Sequence, residues 1–164
     1  MQKVYNALSP GGYLEIGGVY LPPRCDNGTL PKKSAIWRWH ALVEESAEKI
    51  GRPVSDALGK HTEFKMEIGF IDIVYKEFVW PFNSWPSDPC LKEIGRYHCV
   101  DLDLGLEGLS LTFLTRVLGW TREDVLALCG EARQNLRNRK MHGYCKIYYV
   151  SARKPEKALE EPEN

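Results

Sequence analysis

The sequence predicts an α/β fold, on three observations. Three separated segments, "YLEIGGVYL", "FIDIVYKEFVW" and "YCKIYYVSA", are rich in β-branched and aromatic residues, as strands are. The segments between them carry apolar residues at helical spacing. Helices therefore alternate with strands, and that order defines the class.

The elements follow in chain order. "QKVYNAL" is apolar at Val4, Ala7 and Leu8, a short helical face that "SPGG" stops. Pro fixes φ and Gly accepts positive φ, so "PGG" is a turn that feeds the first strand. "PPRCDNGTLPKK" reads as a loop of turn residues. Ser34 is the expected N-cap of "AIWRWHALVEESAEKI", apolar at Ile36, Trp39, Val43, Ala47 and Ile50. Gly51 and Pro53 end that helix. A second helix is expected from about Val54 to Ile68, closed by Gly69, before the second strand.

"WPFNSWPSDP" is a rigid aromatic-proline loop. Ser87 is read as the cap of "CLKEIGRYHCVDLDLGLEGLSLTFLTRVLG", in which Gly95, Gly105 and Gly108 predict a bent helix or two pieces. Thr121 with Asp124 three residues on opens a further helix, "REDVLALCGEARQNLRNRK". The last strand follows. The polar tail "EKALEEPEN" reads as disordered. The count is three strands and about five helices.

The 164 residues fit one domain. Lys plus Arg number 22, as do Asp plus Glu, so the net charge is zero and argues against nucleic acid and anionic membranes as partners. No apolar run reaches the roughly 20 residues of a membrane span. Met1 is followed by no secretory pattern. Cys25, Cys90, Cys99, Cys129 and Cys145 are odd in number and form no C-x-x-C, which reads as reduced thiols in an intracellular protein, cytoplasmic or nuclear.

"SPGGYLEIGGVYL" invites reading as a cofactor-cradling loop. That loop needs G-x-G followed by the N-terminus of a helix, with an acidic residue about 20 positions on. Here Gly17 and Gly18 are followed by "VYLPPRC", with two prolines and no helix start. The turn-and-strand reading is preferred.

The ordered series "ALSPGGYLEI", "DNGTL", "GRP", "GFIDI", "WPFNSWPSDPCLKEIG", "GLEGLSLTFLTRVLGWTREDV", "LRNRKMHGY" and "YYVSARKP" resembles the C-terminal half of fungal LaeA-like methyltransferases, class I enzymes dependent on S-adenosylmethionine. The resemblance covers residues 3 to 155. It implies the C-terminal part of a Rossmann-like fold, with a three-stranded mixed sheet ordered fifth, seventh, sixth strand. The implied domain is residues 1–155, a substrate-side half, with residues 156–164 as tail. In that family the S-adenosylmethionine motifs precede "ALSPGG", so no cofactor-binding residue is carried onto this chain. The fifth strand would present an open edge, a template for a homodimer or for a partner bearing the N-terminal half.

Four residues are candidate site residues. Glu15 is expected at the end of the fifth strand, where ligands sit in this class of fold. The alternative is a carboxylate bonded to backbone. Trp80 and Trp85, with Phe82 between, would form an aromatic platform for a flat small-molecule substrate, or a packed loop. His142 matches a histidine common there in the family and is the candidate general base, against a structural role. His98, Asp101 and Asp103 in "HCVDLDLG" fail calcium-loop spacing, so no metal is expected. Arg133, Arg137, Arg139 and Lys140 read as cations placed at a helix C-terminus.

The resemblance implies methyl transfer from S-adenosylmethionine to a small molecule, in secondary metabolism, by a chain not expected to act alone. A non-catalytic, regulatory methyltransferase-like module is the alternative, as is a fragment turned to another small-molecule task.

Overall fold

The structure is a computed structural model in which residues 1–54 and 68–156 are described. Three strands, β1 (Tyr13–Arg24), β2 (Ile71–Pro81) and β3 (Tyr144–Arg153), form one sheet in the order β1-β3-β2. This is the expected order of the fifth, seventh and sixth strands. The sheet is antiparallel throughout rather than mixed, because β3 runs against both neighbours. The helices are α1 (Gln2–Ala7), α2 (Ala35–Lys49), α3 (Pro89–Leu111) and α4 (Arg122–Arg137), with a π-helical segment at Thr112–Val117. Residues 55–67 of the helix expected over 54–68, and the tail from residue 157, fall outside the described residues.

The chain divides into two compact units. One holds Met1–Gly18, Asp56–Glu77 and Tyr148–Asn164, the other Val19–Ser55 and Phe78–Ile147. In the first, Pro10 and Gly11 form the predicted turn: the Gly12 N–H bonds to the Ser9 carbonyl at 2.9 Å, and Gly11 has φ +76. That is type II geometry, which demands glycine at the third position. The turn sets α1 against the end of β3. Lys154 Nζ donates to the Tyr5 and Leu8 carbonyls at 2.9 and 2.8 Å, satisfying acceptors that the end of α1 leaves open. Tyr5 meets Phe70 edge-on, 4.9 Å between ring centres.

Gly17 and Gly18 lie within β1, and their reason is on the neighbouring strand. A Cβ on Gly17 would stand 2.7 Å from Tyr149 Cε1, and one on Gly18 would stand 2.3 Å from Tyr148 Oη. The glycines leave room for two tyrosine rings, one on each face of the sheet.

The second unit carries the apolar core. Ile36 and Trp39 of α2, Leu102 and Leu106 of α3, Leu114 of the π segment, and Val125, Leu128, Cys129, Ala132 and Leu136 of α4 are buried together with Leu30 and Phe82. Each helix presents positions three and four apart to this core, the pattern legible in the sequence. α2 ends as expected: Gly51 has φ +71, its N–H bonds to Glu48 O, and the Arg52 N–H bonds to Ala47 O, a Schellman closure. Ser34 occupies the N-cap of α2 but makes no side-chain cap bond.

Two expectations for α3 are corrected. Its N-cap is Asp88, not Ser87: Asp88 Oδ1 accepts from the Leu91 N–H at 2.8 Å, with Pro89 opening the helix. The glycines do not break it, since one helix runs 23 residues through Gly95, Gly105 and Gly108. Gly95 is there for packing. A Cβ at Gly95 would lie 2.2 Å from the Asn83 carbonyl oxygen, where the loop after β2 crosses the helix. The Thr121 cap forms as expected, its hydroxyl accepting from the Asp124 N–H at 3.1 Å.

β1 is longer than predicted. It continues through "PPR", read from sequence as loop. Proline lacks the N–H that an interior strand must donate, but β1 is the edge of the three-strand sheet, where proline is tolerated.

Candidate functional site

The carboxyl-terminal residues of β1 and β2 and the amino-terminal residues of β3 belong to the second unit, and their loops build the site. After β1 comes Cys25–Thr29. Asn27 Oδ1 accepts from the Thr29 N–H at 3.2 Å, from the Thr29 hydroxyl at 2.7 Å and from the Cys25 thiol at 3.3 Å. Gly28, at φ +72, permits the reversal. Three donors to one oxygen fix which way the Asn27 amide points. Its Nδ2 therefore faces His142 Nδ1, 2.7 Å away. The His142 backbone N–H donates to Thr29 Oγ1 at 2.9 Å, so ring and backbone are both held by this loop.

Trp85, from the loop after β2, completes the cluster. Its indole lies flat on the His142 imidazole, 4.7 Å between centres and 12° between planes. Its Nε1–H donates to the Gly143 carbonyl at 3.1 Å. Asn83, in the same loop, donates to the carbonyls of Asn138 and Met141 and ties the loop to the turn before β3. Beside it, the Tyr144 hydroxyl donates to both Asp26 carboxylate oxygens at 3.0 and 3.2 Å. Burial and then the Asp26 contact raise the Tyr144 phenol above its ordinary pKa, so it remains a donor. Burial also raises the Cys25 thiol, but the Thr29 hydroxyl and the N–H groups of Leu30, Asn27 and Thr29 outweigh it and bring the pKa below the usual value.

This geometry defines what His142 can offer. An amide N–H donating to Nδ1 requires the proton on Nε2. The imidazole is thus set as a hydrogen-bond donor through Nε2, half-buried and flanked by an indole face. Action as a general base requires loss of the Asn27 contact.

The structure unites two of the four predicted residues. Trp85 and His142 stack; Trp80 lies elsewhere in the second unit, edge-on to His98 at 5.4 Å. Glu15 is exposed and is the third residue of β1, near its amino end. Its expected place at the strand's carboxyl end is corrected by the strand's continuation to Arg24. Asn27 and Thr29 were not singled out by sequence reasoning. The signal was "DNGT", an Asx-turn pattern with a glycine where positive φ is needed.

A second His pair is chemically quiet. His40 donates through Nδ1 to the Ile36 carbonyl at 2.8 Å, and Cys145 Sγ is 3.7 Å from its Nε2. Burial drives His40 down to about 4 and Cys145 up to about 12. Both are therefore neutral near pH 7, and the thiol donates to the ring instead of forming an ion pair. The basic helix end also has its explanation. Arg133 pairs with Asp103 at 3.3 Å and Glu107 at 2.8 Å, and Arg137 with Asp103 at 2.7 Å. These arginines bind carboxylates of α3, a role beyond the helix-end placement expected for them. Among the described residues no cluster of His, Cys, Asp or Glu is placed to hold a metal ion, and no helix is long and apolar enough to cross a membrane.

The glycine stretch does not fit a nucleotide cofactor. The space that Gly17 and Gly18 leave is filled by Tyr149 and Tyr148, and no helix starts after them.

No family model matches the chain. Curated relatives do. The chain is 32% identical over 154 residues to the probable methyltransferase tdiE of Emericella nidulans, covering 94% of this chain and 48% of that protein. It is 36% identical over 157 residues to the secondary metabolism regulator LAE1 of Cochliobolus heterostrophus, covering 94% and 51%. It is 34% identical over 156 residues to the methyltransferase pytC of Aspergillus terreus, covering 94% and 48%. Among solved structures, an N-methyltransferase of Haemonchus contortus aligns with a TM-score of 0.40 at 19% identity, over 94% of this chain and 29% of that one, too loosely to bear on the fold. By class the chain is an α/β protein with a three-stranded antiparallel sheet. By descent it is homologous to the fungal LaeA-like methyltransferases, and it spans about half the length of the curated relatives it matches.

Proposed function

We propose that this chain is the acceptor-side portion of a methyltransferase dependent on S-adenosylmethionine, acting on a small molecule of secondary metabolism. The observation that carries the reading is the match, over 94% of the chain, to proteins named as methyltransferases, of which it spans about half. The built cluster at the strand ends supports it. There His142 and Trp85 offer a donor beside a flat aromatic face, suited to orient a ring-bearing acceptor through an oxygen atom. The cofactor would be held by sequence outside this chain, since the glycines present accommodate tyrosines.

Assembly would use the edge of β1, paired either with a second copy or with a chain bearing the cofactor-binding half. The five free cysteines accord with a cytoplasmic or nuclear location. The name of the LAE1 relative favours a second reading, a regulatory module without turnover of its own.

Binding of S-adenosylhomocysteine tests the first reading by calorimetry. The chain alone is expected to show no binding. A fusion of this chain to the part of tdiE that it does not match is expected to bind at micromolar concentration, with intact tdiE as the reference. Micromolar binding by the chain alone would overturn the assignment to the acceptor side. A folded fusion that fails to bind where intact tdiE binds would overturn it too.

A further inference from the structure

A separate cavity lies where β2 ends and α3 passes over it. It is lined by Trp80, Ile94, Tyr97, His98 and Asp101, with a volume of about 410 Å³. Positions 94, 97, 98 and 101 fall on one face of α3, so a single helix supplies one wall and Trp80 the other. The volume suits a small ligand of two or three fused rings. The walls are an indole, a phenol ring and an isoleucine, which favour a flat apolar body.

The polar groups in the cavity are selective. His98 is buried, and its Nδ1 lies 3.0 Å from the Pro81 carbonyl oxygen. A carbonyl only accepts, so Nδ1 carries the proton and Nε2 carries a lone pair. Burial, which outweighs the Pro81 carbonyl, the nearby Asp101 charge and the Trp80 backbone, lowers the pKa of His98 and keeps the ring neutral. Trp80, edge-on at 5.4 Å, and Phe82, tilted at 5.7 Å, hold the ring in place. Asp101, exposed at the cavity, is an acceptor as well and repels anions. The two acceptors, beside the Tyr97 hydroxyl and the Trp80 indole N–H, favour a donor-bearing ligand that is not an anion.

We propose that this cavity binds a neutral, flat aromatic molecule of two or three fused rings that carries a hydroxyl or N–H, donated to His98 Nε2. The site shares no residue with the His142–Trp85 cluster, and the proposal holds whether or not the chain takes part in methyl transfer.

NMR titration of the ¹⁵N-labelled chain tests it, with 2-naphthol, 2-methoxynaphthalene and 2-naphthoate as probes. 2-Naphthol is expected to shift the Trp80 indole and His98 imidazole signals and to bind at least about fivefold more tightly than either other probe. His98→Phe is expected to bring 2-naphthol and 2-methoxynaphthalene to equal affinity. Equal affinity of those two probes for the unmodified chain would overturn the proposal, whatever the fate of the variant. Shifts confined to residues away from Trp80 and His98 would overturn it as well.

Discussion

Asn27 and His142, 115 positions apart, meet through Nδ2 and Nδ1 at 2.7 Å. The bond is directional because Asn27 Oδ1 is already taken by the donors of Thr29 and Cys25. The expected result is the Nε2–H tautomer of His142, read directly from imidazole ¹⁵N shifts. Asn27→Asp replaces the donor by an acceptor and is expected to move the proton to Nδ1. An Nδ1–H tautomer in the unmodified chain would contradict the assignment.

Two glycines of the helices are expected to respond in opposite directions to alanine. At Gly95 a Cβ meets the Asn83 carbonyl at 2.2 Å, and the backbone atom cannot rotate away. Gly95→Ala should cost about 2 kcal/mol or more by overpacking. At Gly130, inside α4, a Cβ meets no atom within 4 Å. Gly130→Ala should stabilise by about 0.5–1 kcal/mol through helix propensity alone. Urea unfolding midpoints of the two variants check both signs.

His40 gives the fold a pH dependence on the acid side. Its pKa is about 4 when folded, against an ordinary value of 6.5 in the unfolded chain. The unfolded state therefore takes up a proton that the folded state refuses, and stability falls as pH drops from about 6.5 toward 4. The loss approaches roughly 3 kcal/mol at the bottom of that window. His98, held neutral mainly by burial, adds in the same direction. The slope of unfolding free energy against pH is expected to flatten in His40→Leu, whatever that variant's own stability at pH 7.

The sequence displayed what depends on neighbours along the chain. All three strands, the Gly51 closure, the Pro10–Gly11 turn and the Thr121 cap are local, and each was readable from residues within a few positions. Misreadings arose where a distant strand or loop decides. The prolines after Leu21 looked like a loop because the edge position of β1 is a property of the sheet. Gly95 of α3 looked like a break because the crossing of the Asn83 carbonyl is a tertiary contact. The site divides in the same way. "WPFNSWP" drew notice by composition and His142 by the family resemblance, but the stacking of Trp85 on His142 joins two loops that lie far apart along the chain. His98 drew notice only in a metal reading that its spacing rejected, and its bond to the Pro81 carbonyl, visible only in the fold, gives it another chemistry.

Tyr148 and Tyr149 over Gly18 and Gly17 have a consequence for how the sheet is assembled. β1 and β3 neighbour each other but are separated by well over a hundred residues, so no tight turn sets their alignment. Side-chain size does so instead. A slip of one residue would bring the branched side chain of Ile16 or Val19 under a ring that now rests on bare backbone, and would turn every side chain of β1 to the opposite face. The paired glycines work as a notch that admits one alignment of two distant strands.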